Sequence, residues 1–242
     1  ENLLLSQIND YNNWKTRRAL GICAGDVWYY TVHLGWWKDE EEPFADQWNI
    51  LAAAAGAKPL AFLLGDFNSE ADVRGEGYDL ILRSGWQDTY RLARQRDDGY
   101  TVVQAIDGWR DAPDAAAKKR IDQIWCSQAV PVHSSRVEFI RKEQPDVFAL
   151  QEVNQTAAAP LLGNAPAGYY PCPGNMVLLK ADNHAAAVAR MLEEAGCAYH
   201  WSWLPAKIGY DRYDEGMAVF SRAPITAAEN LLLSQINDYN NW

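Results

Sequence analysis

The stretch LAFLLGDFN, residues 60–68, is an unbroken apolar run that stops on Asp66 and Asn68. Continuous apolar character bounded by turn formers reads as a strand buried on both faces, not as a half-exposed strand of alternating polarity. Four more runs are built the same way: VWYYTVHLG (27–35), IDQIWC (121–126), DVFALQEV (146–153) and MAVFSR (217–222). Helical patterns lie between them. EEEPFADQWNILAAAAG (40–56) has Pro43 near its start and Gly56 at its end, and NHAAAVARMLEEAGC (183–197) has Asn183 at the N-cap position and Gly196 as a stop. YDLILRSG (78–85) and FIRKEQPD (139–146) are shorter pieces of the same kind. Buried strands alternating with helices specify an α/β protein, and no Gly/Ser-rich or Pro-rich linker divides residues 1–242, so a single domain is expected.

Composition narrows the function classes. An apolar fraction of 48% with 22% charged residues is that of a folded globular chain. The longest apolar runs are too short to span a bilayer and neither end resembles a signal peptide, so no membrane association and a cytoplasmic location are expected. Four scattered cysteines show no metal-ligand spacing and are expected to be reduced. A formal net charge of −10 disfavours tracking a long nucleic acid, which needs a basic surface. Eleven tryptophans exceed packing needs. Trp14, Trp36, Trp37, Trp109, Trp201 and Trp203 sit in polar surroundings, and as a group they suggest a pocket that stacks flat apolar faces such as those of sugar rings or bases.

Acids and amides cluster where buried strands end. Gln151 and Glu152 follow VFAL, Asp66 and Asn68 follow LAFLL, and Asp122 begins the run DQIWC. Carboxylates supply the hard oxygen ligands that Mg²⁺ takes, commonly one or two together with substrate phosphate. His33 ends VWYYTV and adds a titratable base, while Asp214 and Glu215 precede MAVFSR, where an acid can orient an imidazole.

The set LQEV, GMAVFSR, VHLG, GDFN and RIDQIW resembles the endonuclease/exonuclease/phosphatase superfamily of metal-dependent phosphoesterases. The resemblance implies a DNase I-like fold, a four-layer α/β/β/α sandwich of two mixed sheets with the active site at one end. It implies that Glu152 is a Mg²⁺ ligand, with Mn²⁺ as an alternative metal. Asp66 would orient or activate the attacking water, Asn68 would donate to the phosphoryl oxygens, and His33 would stabilise the phosphate or aid the leaving group, oriented by Glu215. Asp122 would pair with a catalytic histidine.

Two departures accompany the resemblance. The family order runs from LQEV through GMAVFSR, VHLG and GDFN to RIDQIW, whereas here the last three come first. Residues 1–139 match the family's C-terminal half and 140–242 its N-terminal half, a circularly permuted order. The segment ENLLLSQINDYNNW stands at both 1–14 and 229–242, and a single copy would join the two flanks. Because natural duplications drift, identical copies favour an engineered or rearranged order, and they raise the prospect of a domain-swapped self-association. The second departure is that no Ser-Asp-His motif and no N-terminal strand bearing an Asn are found, which leaves Asp122 without its imidazole. His133 in PVHSSR reads as a surface residue.

DYNNWKTRRALG, TVHLGWWKDEEEPF, FNSEADVRGEGYDLI and SGWQDTY look most similar to the maltose 6′-phosphate phosphatase branch. A small phosphorylated sugar is then the expected substrate, with Lys15 and Arg17 as charge-assisted donors to phosphate and Trp14, Trp36 or Trp37 stacking a glucosyl ring. The alternatives are a metal-dependent nuclease using the same residues and a non-catalytic binding module that keeps the fold.

Overall fold

The computed structural model describes residues 16–40, 42–102, 118–137, 144–210 and 212–234. Twelve strands and four helices are defined among them. The strands are β1 (Arg18–Ala24), β2 (Val27–His33), β3 (Ala61–Asp66), β4 (Gln87–Asp88), β5 (Gln95–Arg96), β6 (Asp122–Cys126), β7 (Ser134–Ser135), β8 (Val147–Leu150), β9 (Gln155–Thr156), β10 (His200–Gly209), β11 (Tyr213–Ser221) and β12 (Ile225–Leu232). The helices are α1 (Phe44–Gly56), α2 (Gly77–Arg83), α3 (Thr89–Leu92) and α4 (His184–Glu194). All five expected strands are present, and so are the helices expected over 40–56, 78–85 and 183–197. The expected helix over 139–146 falls largely outside the described residues.

The largest sheet has the order β12-β1-β2-β3-β6-β4 and a second the order β10-β11-β8, with β9 also pairing β11, while β5 and β7 form a separate parallel pair. Strand alternation fixes what each face buries. On β11, Ala218 and Phe220 join Trp201, Trp203 and the α4 residues Ala185, Ala186 and Ala189 in one apolar cluster. Met217 and Val219 point the other way, into a cluster shared with Leu20 and Ile22 of β1. The far side of the larger sheet packs Tyr30, Val32 and Leu63 against Phe44, Trp48 and Leu51 of α1 and Tyr78 and Ile81 of α2. Helices therefore cover the outer face of each sheet, and the two sheets meet across a third apolar layer, as the α/β fold class requires.

Two of the six tryptophans grouped as a stacking pocket belong elsewhere. Trp201 and Trp203 are fully buried, because the alternation in HWSW sends both rings to the α4 face of β10. Trp37 packs edge-on to Phe44 at a centroid distance of 5.8 Å, at the border of the core. Trp14 and Trp109 lie outside the described residues. Trp36 is 41% exposed.

Residues 229–232 of the C-terminal repeat complete the larger sheet: β12 runs antiparallel to β1 with Arg18 opposite Leu232 and Gly21 opposite Glu229. The docking uses the letters of the repeat. Leu231 and Leu233 enter the core, Asn230 Oδ1 accepts from Arg18 at 3.2 Å, and Ser234 Oγ accepts from the Arg17 backbone N–H at 2.9 Å. Glu229 accepts from Lys58 at 2.9 Å and from the Tyr30 hydroxyl. Residues 1–14, the first copy, lie outside the described residues.

Candidate active site

Register builds the centre of the site. β2 and β3 are parallel with His33 beside Asp66, and β3 and β6 are antiparallel with Asp66 beside Asp122. Three strand ends therefore place His33, Asp66 and Asp122 in one row. His33 Nε2 lies 3.8 Å from Asp66 Oδ2, a contact too long for a hydrogen bond. Gly65 makes the row possible: its φ is +143°, and a Cβ there would stand 2.1 Å from the Val32 carbonyl and 2.7 Å from Gln151 Nε2.

Asn68 follows in the left-handed region with φ +46°. Its backbone N–H donates to Asp66 Oδ1 at 2.7 Å and its side-chain amide to the Leu34 carbonyl at 2.7 Å. The first bond fixes the Asp66 carboxylate, and the second holds Asn68 against the end of β2. One amide hydrogen of Asn68 is therefore engaged in holding the loop.

The second sheet supplies Glu152, which also has a positive φ, +52°. Its neighbours pin it. Val153 donates its N–H to the Gly216 carbonyl at 2.8 Å, and Trp203 Nε1 donates to the Val153 carbonyl at 2.9 Å. Gln151 reaches across to the larger sheet, donating to Thr31 Oγ1 at 2.9 Å. Two non-glycine residues held at positive φ beside the acid row are the kind of local strain that clusters at functional sites.

A cleft between the sheets is lined by Arg17, His33, Glu152, Lys207 and Glu215, with Gln151 at its wall. Lys207 was not singled out from sequence. Yet the β10–β11 hairpin turns at Gly209 to Tyr213 and sets Lys207 opposite Glu215, so a hairpin reading of KIGYDRYDEG would have paired them. Their ion pair is 3.1 Å long. This corrects the expectation that Glu215 orients His33: the Glu215 carboxylate is engaged by Lys207, and the acid facing His33 is Asp66. Arg17 is buried rather than part of a solvated edge. Lys15 lies outside the described residues.

Burial governs the titration of these groups. It pushes the Asp66 carboxyl up to about 7, helped by the negative charges of Asp122 and Glu152 and opposed by the Asn68 N–H and Arg17. It drives His33 down to about 3, with the cations Arg17 and Lys207 adding to the effect, so this imidazole is neutral at pH 7. Burial also lowers the Arg17 pKa against the pull of Glu215, Asp39, Glu42 and Asp66. Shifts produced by burial together with specific charged neighbours are enriched at functional sites and also occur in structural ion-pair networks.

Asp122 is exposed, and its backbone N–H donates to Thr101 Oγ1 at 3.2 Å. Among the described residues no hydrogen bond or ion pair joins it to an imidazole. His133 is exposed before β7, its carbonyl accepting from the Gln95 N–H at 3.2 Å. Among the described residues, too, no group of three His, Cys, Asp or Glu side chains is placed to hold a metal ion, so a hard cation here would rest on one or two carboxylates, Glu152 among them, together with substrate phosphate.

Residues 137–239 match the model of the Endonuclease/Exonuclease/phosphatase family. Over these residues, less than half of the chain, the sequence is similar to that family. The match contains LQEV and GMAVFSR, whereas VHLG, GDFN and RIDQIW lie before it. Comparison with curated proteins returns no match. Among solved structures, an endonuclease/exonuclease/phosphatase family protein from Leptotrichia buccalis is 31% identical over 48% of this chain and 42% of that one, with a TM-score of 0.38. A functionally unknown conserved protein from Enterococcus faecalis is 20% identical over 46% and 42%, with a TM-score of 0.33. A family protein from Bacteroides thetaiotaomicron is 23% identical over 45% and 38%, with a TM-score of 0.30. The matches span less than half the length of each of these proteins. Among the described residues no helix is long and apolar enough to cross a membrane.

Proposed function

We propose that the chain is a metal-dependent phosphoric ester hydrolase acting on a small phosphorylated sugar, similar to maltose 6′-phosphate. The observation that carries this reading is the convergence of Asp66, Asp122 and His33 in one strand-end row beside a cleft holding Glu152 and Arg17. Mg²⁺, held by Glu152 with the neighbouring acids, would neutralise charge on the phosphoryl oxygens. Asp66, fixed through Oδ1, positions the attacking water and holds its proton. Arg17 binds the phosphate as a charged donor. Neutral His33 donates to or accepts from the ester without adding charge. Trp36, partly exposed, would stack a glucosyl ring. The pairing of β12 with β1 supports a circularly permuted order, because these two strands are the ones a single copy of the repeat would connect.

The test is Mg²⁺-dependent phosphate release from maltose 6′-phosphate by the wild type and by Asp66→Ala and Glu152→Ala. Release abolished in both variants with cooperative unfolding retained is the expected result, and unchanged turnover in either variant refutes the assignment. Equal hydrolysis of DNA would refute the substrate class. Among the described residues no imidazole bonds Asp122, which favours a second reading, a module that binds the sugar phosphate without turning it over. Retained binding by a wild type with no Mg²⁺-dependent release would establish that reading instead.

A further inference from the structure

We propose that the outer edge of β8 binds one extended, uncharged and apolar segment of a partner chain, which adds to the smaller sheet as a further strand. The inference is independent of the phosphoester reading above.

The edge is open and its backbone is aimed outward. β8 pairs with β11 along one side, and among the described residues no strand pairs with the other. The Arg222 N–H donates to the Asp146 carbonyl at 2.9 Å, one step before Val147 meets Ser221 in the register. Hydrogen-bonded and non-hydrogen-bonded pairs alternate along an antiparallel ladder, so Phe148 and Leu150 turn their N–H and C=O groups to β11. Val147 and Ala149 turn theirs to the open edge. The strand, VFAL, contains no charge and no proline, two of the devices that keep such an edge from pairing.

Space for a strand lies on both faces of this edge. Val147 and Ala149 point toward the larger sheet, where they border a cavity of about 410 Å³ walled by Leu64 and Ile124. Leu150 points to the α4 side and borders a second cavity of about 530 Å³, with Val188, Met191 and Leu192. Ile124 is 44% exposed and Met191 63%, so each groove has an uncovered apolar wall. Both grooves continue apolar layers of the core, since Val147 and Ala149 pack against one and Leu150 and Val188 against the other. Side chains alternate along a strand, so an occupant needs apolar residues at consecutive positions to fill both grooves.

The surroundings select a lone segment. β8 lies over β2 and β3, and β6 follows β3 in the larger sheet, so β6 overhangs the open edge. A second copy presenting its own β8 would bring its own overhanging β6 into the same space. A single strand about 4.8 Å from β8 fits beneath the overhang, and its main chain supplies the bonds that Val147 and Ala149 offer.

The test combines amide hydrogen exchange of the full chain with fluorescence anisotropy of a labelled, acetylated and amidated heptapeptide KVLVLVK, whose terminal lysines only keep it soluble. Without peptide, the Val147 and Ala149 amides should exchange at least tenfold faster than those of Phe148 and Leu150, and peptide should slow them. Ile124→Lys and Met191→Lys, each placing a charge in one groove at an exposed position, should weaken binding at least tenfold. Leu178→Lys, also exposed but lining neither groove, should leave it unchanged, and a peptide with serine at every apolar position should not bind. Peptide binding that is absent, that is indifferent to both groove lysines, or that protects β10 instead of β8 overturns the inference. So do Val147 and Ala149 amides already as protected as their neighbours, a readout that needs no variant.

Discussion

His33 and Asp66 should pull the stability of this protein in opposite directions as pH changes. Asp66 rises from 3.8 unfolded to about 7 folded. Between these values the native state binds its proton more than the unfolded state does, so its contribution falls as pH rises. His33 drops from 6.5 unfolded to about 3 folded. In that window the unfolded state binds the extra proton, so its contribution is lost as pH falls. Each group changes stability by at most about 1.4 kcal/mol per pH unit, hence by about 1.5–2 kcal/mol between about pH 4.5 and 6.0, where both windows overlap. In the wild type the two slopes nearly cancel. Asp66→Asn, which preserves shape, should unmask His33 and make stability climb across this interval relative to the wild type. His33→Gln should unmask Asp66 and make it decline by a similar amount. Urea unfolding with a chelator present, to keep divalent cations off the acids, measures both. Parallel pH profiles for the wild type and both variants would refute the assignment of these shifts to burial.

Three further outcomes follow from packing. Gly65→Ala should cost about 2–4 kcal/mol, because its Cβ meets backbone in a conformation unfavourable for alanine, whereas Gly85→Ala, at positive φ but in open space, should cost only about 1 kcal/mol; equal losses by urea unfolding would contradict this. Trp201→Ala should cost about 3–5 kcal/mol, and exposed Trp36→Ala should stay within about 0.5 kcal/mol while weakening sugar-phosphate binding more than single-turnover chemistry. Asn183→Ala should cost about 1–2 kcal/mol in thermal unfolding, since Asn183 caps α4 by accepting from the Ala186 N–H at 3.0 Å and also donates to Gln155 at 2.9 Å.

What the sequence shows of this fold depends on how each strand is buried. LAFLL and VWYYTV are legible because both faces are covered and the apolar run is unbroken. β10 is not, since Pro205 and Lys207 interrupt HWSWLPAKIG. The proline is tolerated because β10 lies at the edge of its sheet. β12 is hidden for a related reason: ITAAENLL contains a polar pair whose partners, Arg18 for Asn230 and Lys58 for Glu229, are distant in sequence. The acids of the site are legible because they end readable strands. Lys207 is not, because its significance comes only from the hairpin that sets it against Glu215. The Trp201 and Trp203 reading failed because local polarity says nothing about which face of a strand an aromatic ring occupies.

The seam between β12 and β1 draws its strand from two stretches of sequence. Ile225 to Ala228 lie outside the repeated letters and Glu229 to Leu232 inside them, and both halves pair with β1. Exchange of whole β12 strands between two molecules would replace each contact by its equal, so its extent would follow protein concentration and the reach of the connecting chain.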